Sequence, residues 1–569
     1  MVSNKGYTRC DGKVSEEERD FYEMKNRACE FYNRNKVPQQ IENVLNDMFF
    51  AKPDDIYGYL ANFFMKLSAP PRISGLNGRE IYDSQGQLSV QAEVMCTIRN
   101  EQKLTSSAGV SAGHGQWSMQ GPDMGKGRAH HVTTGLEWIN GPLSELLKGC
   151  DPCDQTGVDY ILSDFFSARH QEAKENWRLQ EEENKEEEKE APPPPASSKG
   201  KKSGEKAIKG ASAEKLIPPC VPPEPEVPGS VAVGAVSLAV AKSGALIRDV
   251  PLYKHIFALS NQSEFRVPVP LVTLLSCGKS SPGKLNLLEE VILIPRPGQR
   301  VKQVISTALQ IHEELMRIMN STTSKNGQPT QSEAGAPVVA CERPEQVLDL
   351  VAEACRSLGL TLGEEIRLAV NCAAHRLMDY SRGKYEVIAG SLKSPDELVD
   401  VYQALLLKYP AVVALIQPLR KEDVDQWERL SSVIGASCSL LCDMSGLPAS
   451  QALPPALPGV KGQVLQQVNG TKVSDLIRIT TENTDAVILS SSHSEPCGDN
   501  CLSDLAVGLG VAYVRLGGLQ GGQRLTKYNR LIAIEEELAQ QGILVSRTTL
   551  PAPLCVEDTL ADAGISEEV

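Results

Sequence analysis

The sequence predicts an α/β chain dominated by a TIM-type barrel, with a smaller α+β layer before it and a short helical segment before that. Three observations carry this. From residue 229 onward, short apolar runs bounded by Gly, Pro or Ser alternate with helical stretches, the pattern of buried strands joined by helical crossovers. Upstream, one stretch alternates apolar and polar residues around a turn, as a hairpin with one wet face does. Further upstream, two apolar stripes at helical spacing flank a proline-containing stop.

Bulk composition narrows the class. A chain of 569 residues is long enough for two or three domains and a large core. A formal net charge of −14 and a pI near 5.3 argue against nucleic acid or an anionic membrane as the main partner. No charged-then-apolar leader and no uninterrupted apolar run of about 18 residues is present, so a soluble, cytoplasmic protein is expected. The 15 cysteines follow no framework, as reduced thiols would. Cys150 and Cys153 form a CxxC, but no second pair follows at zinc-site spacing, which favours a turn with two ordinary thiols.

In chain order, residues 1–36 are polar, with a helical look around Glu16–Asn33. Residues 37–74 hold the two stripes: Ile41, Val44, Leu45, Met48 and Phe49, then Ile56, Leu60, Phe63, Phe64 and Leu67. Between them, Lys52–Asp55 stops one helix and starts the next, since proline suits a first turn and carboxylates suit the helix dipole there. Helices this short and apolar bury their faces only against a partner. The segment resembles the RIIa/Dpy-30 docking modules, which implies a four-helix homodimer that buries the docking residues Ile56, Leu60, Phe63 and Phe64 and receives an amphipathic helix of an anchoring protein in a groove from its first helices. The alternative is a helical hairpin packed on the neighbouring domain.

Residues 75–165 form the α+β layer, opening with a hairpin over Gly78–Asn100 that turns at Asp83–Gly86. Residues 166–228 read as a charged helix and then a Pro- and Lys-rich tract, a disordered insert unable to offset its ordering entropy. Residues 229–545 are the barrel, with strands expected at Val267–Leu275, Leu287–Pro295, Ile366–Ala373, Val412–Pro418, Ser439–Met444, Val464–Asn469, Ala486–Ser491 and Ala512–Leu516. The first two are joined as a hairpin, and Leu447–Gly462 is too rich in proline for a sound helix. Residues 546–569 are a tail.

Val267–Pro295, VPVPLVTLLSCGKSSPGKLNLLEEVILIP, resembles the enolase family, as do the Gly78–Asn100 hairpin and RLTKYNRLIAIEEEL at Arg524–Leu538. The resemblance implies an enolase-type barrel with an α+β capping domain, and the magnesium-dependent dehydration of 2-phosphoglycerate to phosphoenolpyruvate. Family roles transfer as follows. The acid-catalysis glutamates fall on Glu289 and Glu333, and the substrate-binding lysine on Arg515. The base lysine falls on Gln467, and the substrate-binding histidines on Ser280 and Ser492. The phosphate-binding arginine becomes His493 while its serine is kept as Ser494. The three magnesium carboxylates fall on Asn371, Ile416 and Cys442, with Asp443 one residue along and facing the other side of an ungapped strand. Ser107–Gly113 lies where the family has a mobile loop, and Ser111 and Asp443 are the further oxygens a metal would find.

Glutamine does not accept a proton near neutral pH, and isoleucine offers magnesium nothing. Two alternatives stand for the survivors: Glu289 and Glu333 as a buried hydrogen-bonded pair, and Lys472 swung inward as a substitute base. Another enolase-superfamily lyase lacks any substitute acid, base or metal set. With these changes, the resemblance implies a glycolytic enolase-like protein of the sperm-type branch, a homodimer with weakened lyase chemistry docked to a flagellar cytoskeleton. The alternative is a wholly non-catalytic scaffold.

Overall fold

The computed structural model describes residues 16–112, 124–190, 226–322, 330–444, 457–466, 468–483, 486–492, 494–546 and 549–554. The chain divides into two compact units, 1–70 and 71–569.

The first unit is three helices: α1 (Glu16–Arg34), α2 (Val37–Ala51) and α3 (Ile56–Leu67). Lys36 enters α2 in a left-handed conformation (φ 53°), and Lys52 closes it in the same way (φ 46°), its N–H bonding to Met48 O. Asp55 then caps α3 by accepting from Gly58 N at 2.8 Å, which satisfies one orphan donor of the first turn. Val44 is buried at 1% exposure, whereas Ile41, Leu45, Phe49, Ile56 and Phe64 are exposed. Leu60 and Phe63 are half-buried. A groove of ≈ 670 Å³ runs along α2, lined by Tyr32, Val37, Ile41 and Leu45 among others.

The second unit opens with an antiparallel meander of β1 (Arg72–Tyr82), β2 (Leu88–Ile98) and β3 (Glu101–Ser111). Most of the expected mobile loop is thus strand: Ser107 to Ser111 pair with Glu93 to Ser89 of β2. Its Ser- and Gly-rich composition hides a strand whose neighbours, not its own side chains, supply the apolar cover. Next come α4 (Met124–Trp138), α5 (Ser144–Leu147) and α6 (Gln155–Glu190). The insert does not begin at 166: α6 runs on to Glu190, with Phe166 buried and Trp177 packed on the core. Its Glu, Lys and Gln are strong helix formers, so a helix anchored by Val158, Leu162 and Phe165 continues outward. The rest of that expected segment, 191–225, lies outside the described residues.

Helix α7 (Val231–Ile247) is buried nearly all round and packs on β2 and β3, where Ser106 donates to Ala239 O at 2.6 Å. Gly234 is required there, because a Cβ would stand 2.3 Å from the Gly470 backbone. After α8 (Leu252–Ser260) come the barrel strands β4 (Val269–Ser276) and β5 (Glu290–Pro295), then α9 (Val301–Thr322) and α10 (Pro344–Ser357). Strand β6 (Ile366–Asn371) is followed by a small sheet of β7 (Met378–Asp379), β8 (Lys384–Ile388) and β9 (Ser391–Lys393). Next are α11 (Pro395–Lys408), β10 (Val412–Ile416), α12 (Val424–Ile434), β11 (Ser439–Asp443) and β12 (Val460–Leu465). Last are α13 (Val473–Glu482), β13 (Val487–Ser490), α14 (Cys501–Gly508), β14 (Tyr513–Gly517) and α15 (Gly522–Gln540).

Eight strands close the barrel, β4 through β6 and β10 through β14, with β5 antiparallel to both its neighbours. Strand β12 starts four residues before its expected position, so Val460–Gly462 are strand rather than loop. Leu271, Ile292, Ala369, Leu441, Val464 and Ile488 fill the interior, joined by Leu550 and Leu554. The expected tail is thus partly core. Pro551 O accepts from Tyr513 Oη at 2.8 Å and Pro553 O from Ser439 Oγ at 2.6 Å, at the N-terminal ends of β14 and β11. Residues 550–554 are the barrel's floor. No single described helix is long and apolar enough to cross a membrane.

Candidate active site at the barrel mouth

Side chains alternate in and out along a strand, so the interior residues tell which neighbours face the mouth. In β5, Ile292 and Ile294 face inward, and so therefore does Glu290, at the end where the parallel strands finish. Glu290 Oε2 accepts from Asn371 Nδ2 at 3.0 Å and from Arg515 Nη2 at 2.5 Å. The Glu290 and Arg515 side chains are only 3% and 5% exposed. This corrects the expectation for Glu289, which turns to Arg376 in the short turn after β6. Glu333 is exposed, and only its backbone is held, so the buried Glu289–Glu333 pair is not formed.

The same alternation corrects Cys442. Leu441 lies in the interior cluster, which makes Asp443 the inward member of the doublet. Asp443 Oδ2 accepts from Gln466 Nε2 at 2.7 Å, and Asp443 N donates to Gln417 Oε1 at 2.9 Å. The Cys442 thiol lies 3.6 Å from that same Gln417 oxygen, and burial pushes it up to about 11. Gln417 takes a left-handed backbone (φ 50°), rare for a side chain of this kind, and its own Nε2 donates to Leu419 O. Ile416, next to it, is 1% exposed and points into the barrel with no oxygen to offer.

The mouth's rim is held by charges the sequence left unassigned. From α15, Arg524 donates to Ser492 O at 2.8 Å and to Glu333 O at 3.2 Å, tying two loops together. Lys527 pairs with Glu495, both buried. Burial alone would raise the Glu495 carboxyl, but Lys527 and Arg524 together bring it below its ordinary value. Glu495 Oε1 also accepts from Ser492 N at 2.8 Å, and Ser492 Oγ donates to Ser494 O. Ser111 Oγ sits 2.8 Å from Asp83 Oδ2 and 3.1 Å from Ser494 Oγ, and Ser84 N donates to Glu495 O at 2.9 Å. The capping hairpin is thereby latched to the barrel loop. Lys472 does not swing inward: its ammonium bonds Asp475 at 2.9 Å and Ser163 of α6. Gln467, His493 and the Ser280 side chain lie outside the described residues.

Residues 264–550 match the enolase C-terminal TIM barrel domain. The chain is 50% identical to Enolase 4 of Danio rerio over 558 residues, spanning 95% of this chain and 96% of that protein. The chain belongs to the enolase family. It is also 42% identical to Enolase 4 of Xenopus laevis, over 94% of this chain and 95% of the relative. Against Enolase 4 of Homo sapiens the figures are 38%, 92% and 90%.

Enolases generally use magnesium, a hard ion that wants a near-octahedral shell of oxygens, carboxylates above all. The residues here do not fit it. Of the three inward positions, only Asp443 is a carboxylate; Asn371 is engaged by Glu290, and Ile416 has no donor. The remaining inward charge, Glu290, is matched by Arg515. Among the described residues no set of three His, Cys, Asp or Glu side chains is placed to hold a metal.

Proposed function

We propose that this enolase body carries out the inherited dehydration of 2-phosphoglycerate at a rate lowered by at least about 10²–10⁴-fold. Its main role is then that of a docked component of a cytoplasmic, cytoskeletal assembly, flagellar by resemblance. One observation carries this reading: Glu290 Oε2 accepts from both Asn371 and Arg515 in a buried cluster. A charge already paired inside a low-dielectric mouth does not recruit a cation, and a neutral Gln at 467 takes no proton. The N-terminal helices supply the docking part. Their apolar side chains remain in water, and a groove beside Ile41 and Leu45 suits an amphipathic helix of an anchoring protein.

A slow but genuine lyase is favoured by one feature. Arg515 Nη1 is buried and finds no hydrogen-bond partner among the described residues, leaving one cationic donor for a substrate carboxylate. Turnover of 2-phosphoglycerate by the purified full chain, with magnesium, separates the readings. Slow turnover, above the assay background but at least about 10²-fold below an ordinary enolase, supports the proposal; activity within tenfold of an ordinary enolase sinks it, and none above background favours a wholly non-catalytic scaffold.

A further inference from the structure

About half of the exposed large hydrophobic side chains lie between Phe21 and Leu67. Those of α2 and α3 enter the docking reading above, with Tyr32 at the edge of the groove; the others of α1 do not. Phe21, Met24, Phe31 and Tyr32 are 70%, 68%, 61% and 50% exposed. With Ala28 between them they recur at three- and four-residue steps, so all five share one face of α1. Such a stripe is stable in water only when covered.

The charges say what covers it. Acidic residues crowd the first half of α1 (Glu16, Glu17, Asp20, Glu23), and basic ones dominate from Lys25 to Lys36 (Lys25, Arg27, Arg34, Lys36). That order suits the helix's own dipole, and Arg27 and Arg34 lean on Glu23 and Glu30 in exposed pairs. A dipole does not explain the apolar stripe. A second α1 laid antiparallel explains both features. We propose that α1 pairs antiparallel with the α1 of a second copy of this chain, crossing at Ala28. The crossing falls on the stripe's small residue, where helix axes approach most closely. Met24 then meets Tyr32, Asp20 meets Lys36 and Glu23 lies beside Arg34. A parallel pair would instead set Asp20 on Asp20 and Arg34 on Arg34. The pairing needs only α1, and of α1 only Tyr32 also lines the groove beside α2.

The test uses the full chain carrying Cys29→Ser, which removes the exposed thiol of α1. Ala28→Cys in that chain places two thiols at the crossing, within disulfide reach. Phe21→Cys places them about 21 Å apart, seven residues either side of it. Mild oxidation read on a non-reducing gel should convert more than half of the Ala28→Cys chain to covalent dimer, with Phe21→Cys at the level of Cys29→Ser alone. Adding Met24→Asp to Ala28→Cys should abolish the dimer. Cross-linking at both positions means parallel pairing and overturns the proposal. Cross-linking at neither, or persistence with Met24→Asp, overturns it as well. Helicity by circular dichroism guards against loss of α1 itself. Leu60→Asp leaves the cross-link intact while removing partner capture, so docking and α1 pairing fail separately.

Discussion

The barrel mouth and the N-terminal helices are opposite solutions to one problem. At the mouth, polar groups are closed on one another: Glu290 on Arg515 and Asn371, Asp443 on Gln466 and Gln417, Glu495 on Lys527. In α1 to α3, the apolar groups that a finished fold covers stay in water. A buried ion pair is costly to break yet offers little to a newcomer. An exposed apolar stripe forgoes about 1.5–3 kcal/mol per large side chain, which covering it against another surface recovers. The uncovered apolar surface thus lies in the first unit, and the paired buried charges in the second.

Reopening the mouth tests this contrast most severely. Asn371→Asp, Ile416→Glu, Gln467→Lys and Arg515→Lys together should raise turnover of 2-phosphoglycerate by at least about 10²-fold. Calorimetry should show a saturable magnesium site that the parent chain lacks. Failure with a well-folded variant would place the loss in the rim loops instead.

Breaking the pair from one side should be nearly as large. Arg515→Met leaves Glu290 buried and uncompensated, a destabilisation of about 3–5 kcal/mol by chemical denaturation. Adding Glu290→Met should recover most of it; an additive double loss would mean that the two residues do not act as a unit.

Acid should act next. His131 and His255 are 2% and 1% exposed, and burial, helped by His130 and Arg248 respectively, lowers each from 6.5 to about 4. The unfolded chain therefore takes up more protons between these values. Stability should fall as pH drops from 6.5 toward 4, by up to about 3 kcal/mol for each ring. His255→Leu should lower the slope in melts recorded across that range; an unchanged slope would assign the acid response elsewhere.

The smallest effect on the second unit is expected from the first. Leu60→Asp should abolish capture of a helical partner while the melting temperature of the enolase body stays within about 1 °C, because Leu60 lies in the other compact unit. A shift of several degrees would show that the two units share their stability.

Much of the fold was legible in the sequence, because long periodic segments announce themselves. The barrel strands and their helices fell within a few residues of expectation, and α2 and α3 were read from their stripes. The misses have physical causes. Strand β3 carries a Ser/Gly composition that no propensity assigns to a strand, and β12 opens with Val460-Lys461-Gly462 after a proline-rich tract. At the site, Glu289-Glu290 and Cys442-Asp443 are doublets in which one step of register reverses in and out. Composition cannot choose between such neighbours; the neighbouring interior residues, Ile292 and Leu441, can. Arg524, Lys527 and Glu495 were invisible for another reason. Arg524 and Lys527 lie in the family's C-terminal signature, and their partners, Glu495 among them, are distant in sequence.

The floor of the barrel carries a consequence for how the molecule is made. Strand β4 begins at Val269, yet the interior is sealed by Leu550 and Leu554, almost 300 residues later. Contacts that span so much chain are slow to form, and a nascent barrel stays open beneath until its last segment leaves the ribosome. The helices α1 to α3 emerge first, depend on local contacts and complete themselves within about a microsecond to a millisecond. Two neighbouring chains on one messenger thus have the whole period of barrel synthesis in which to meet through their first seventy residues.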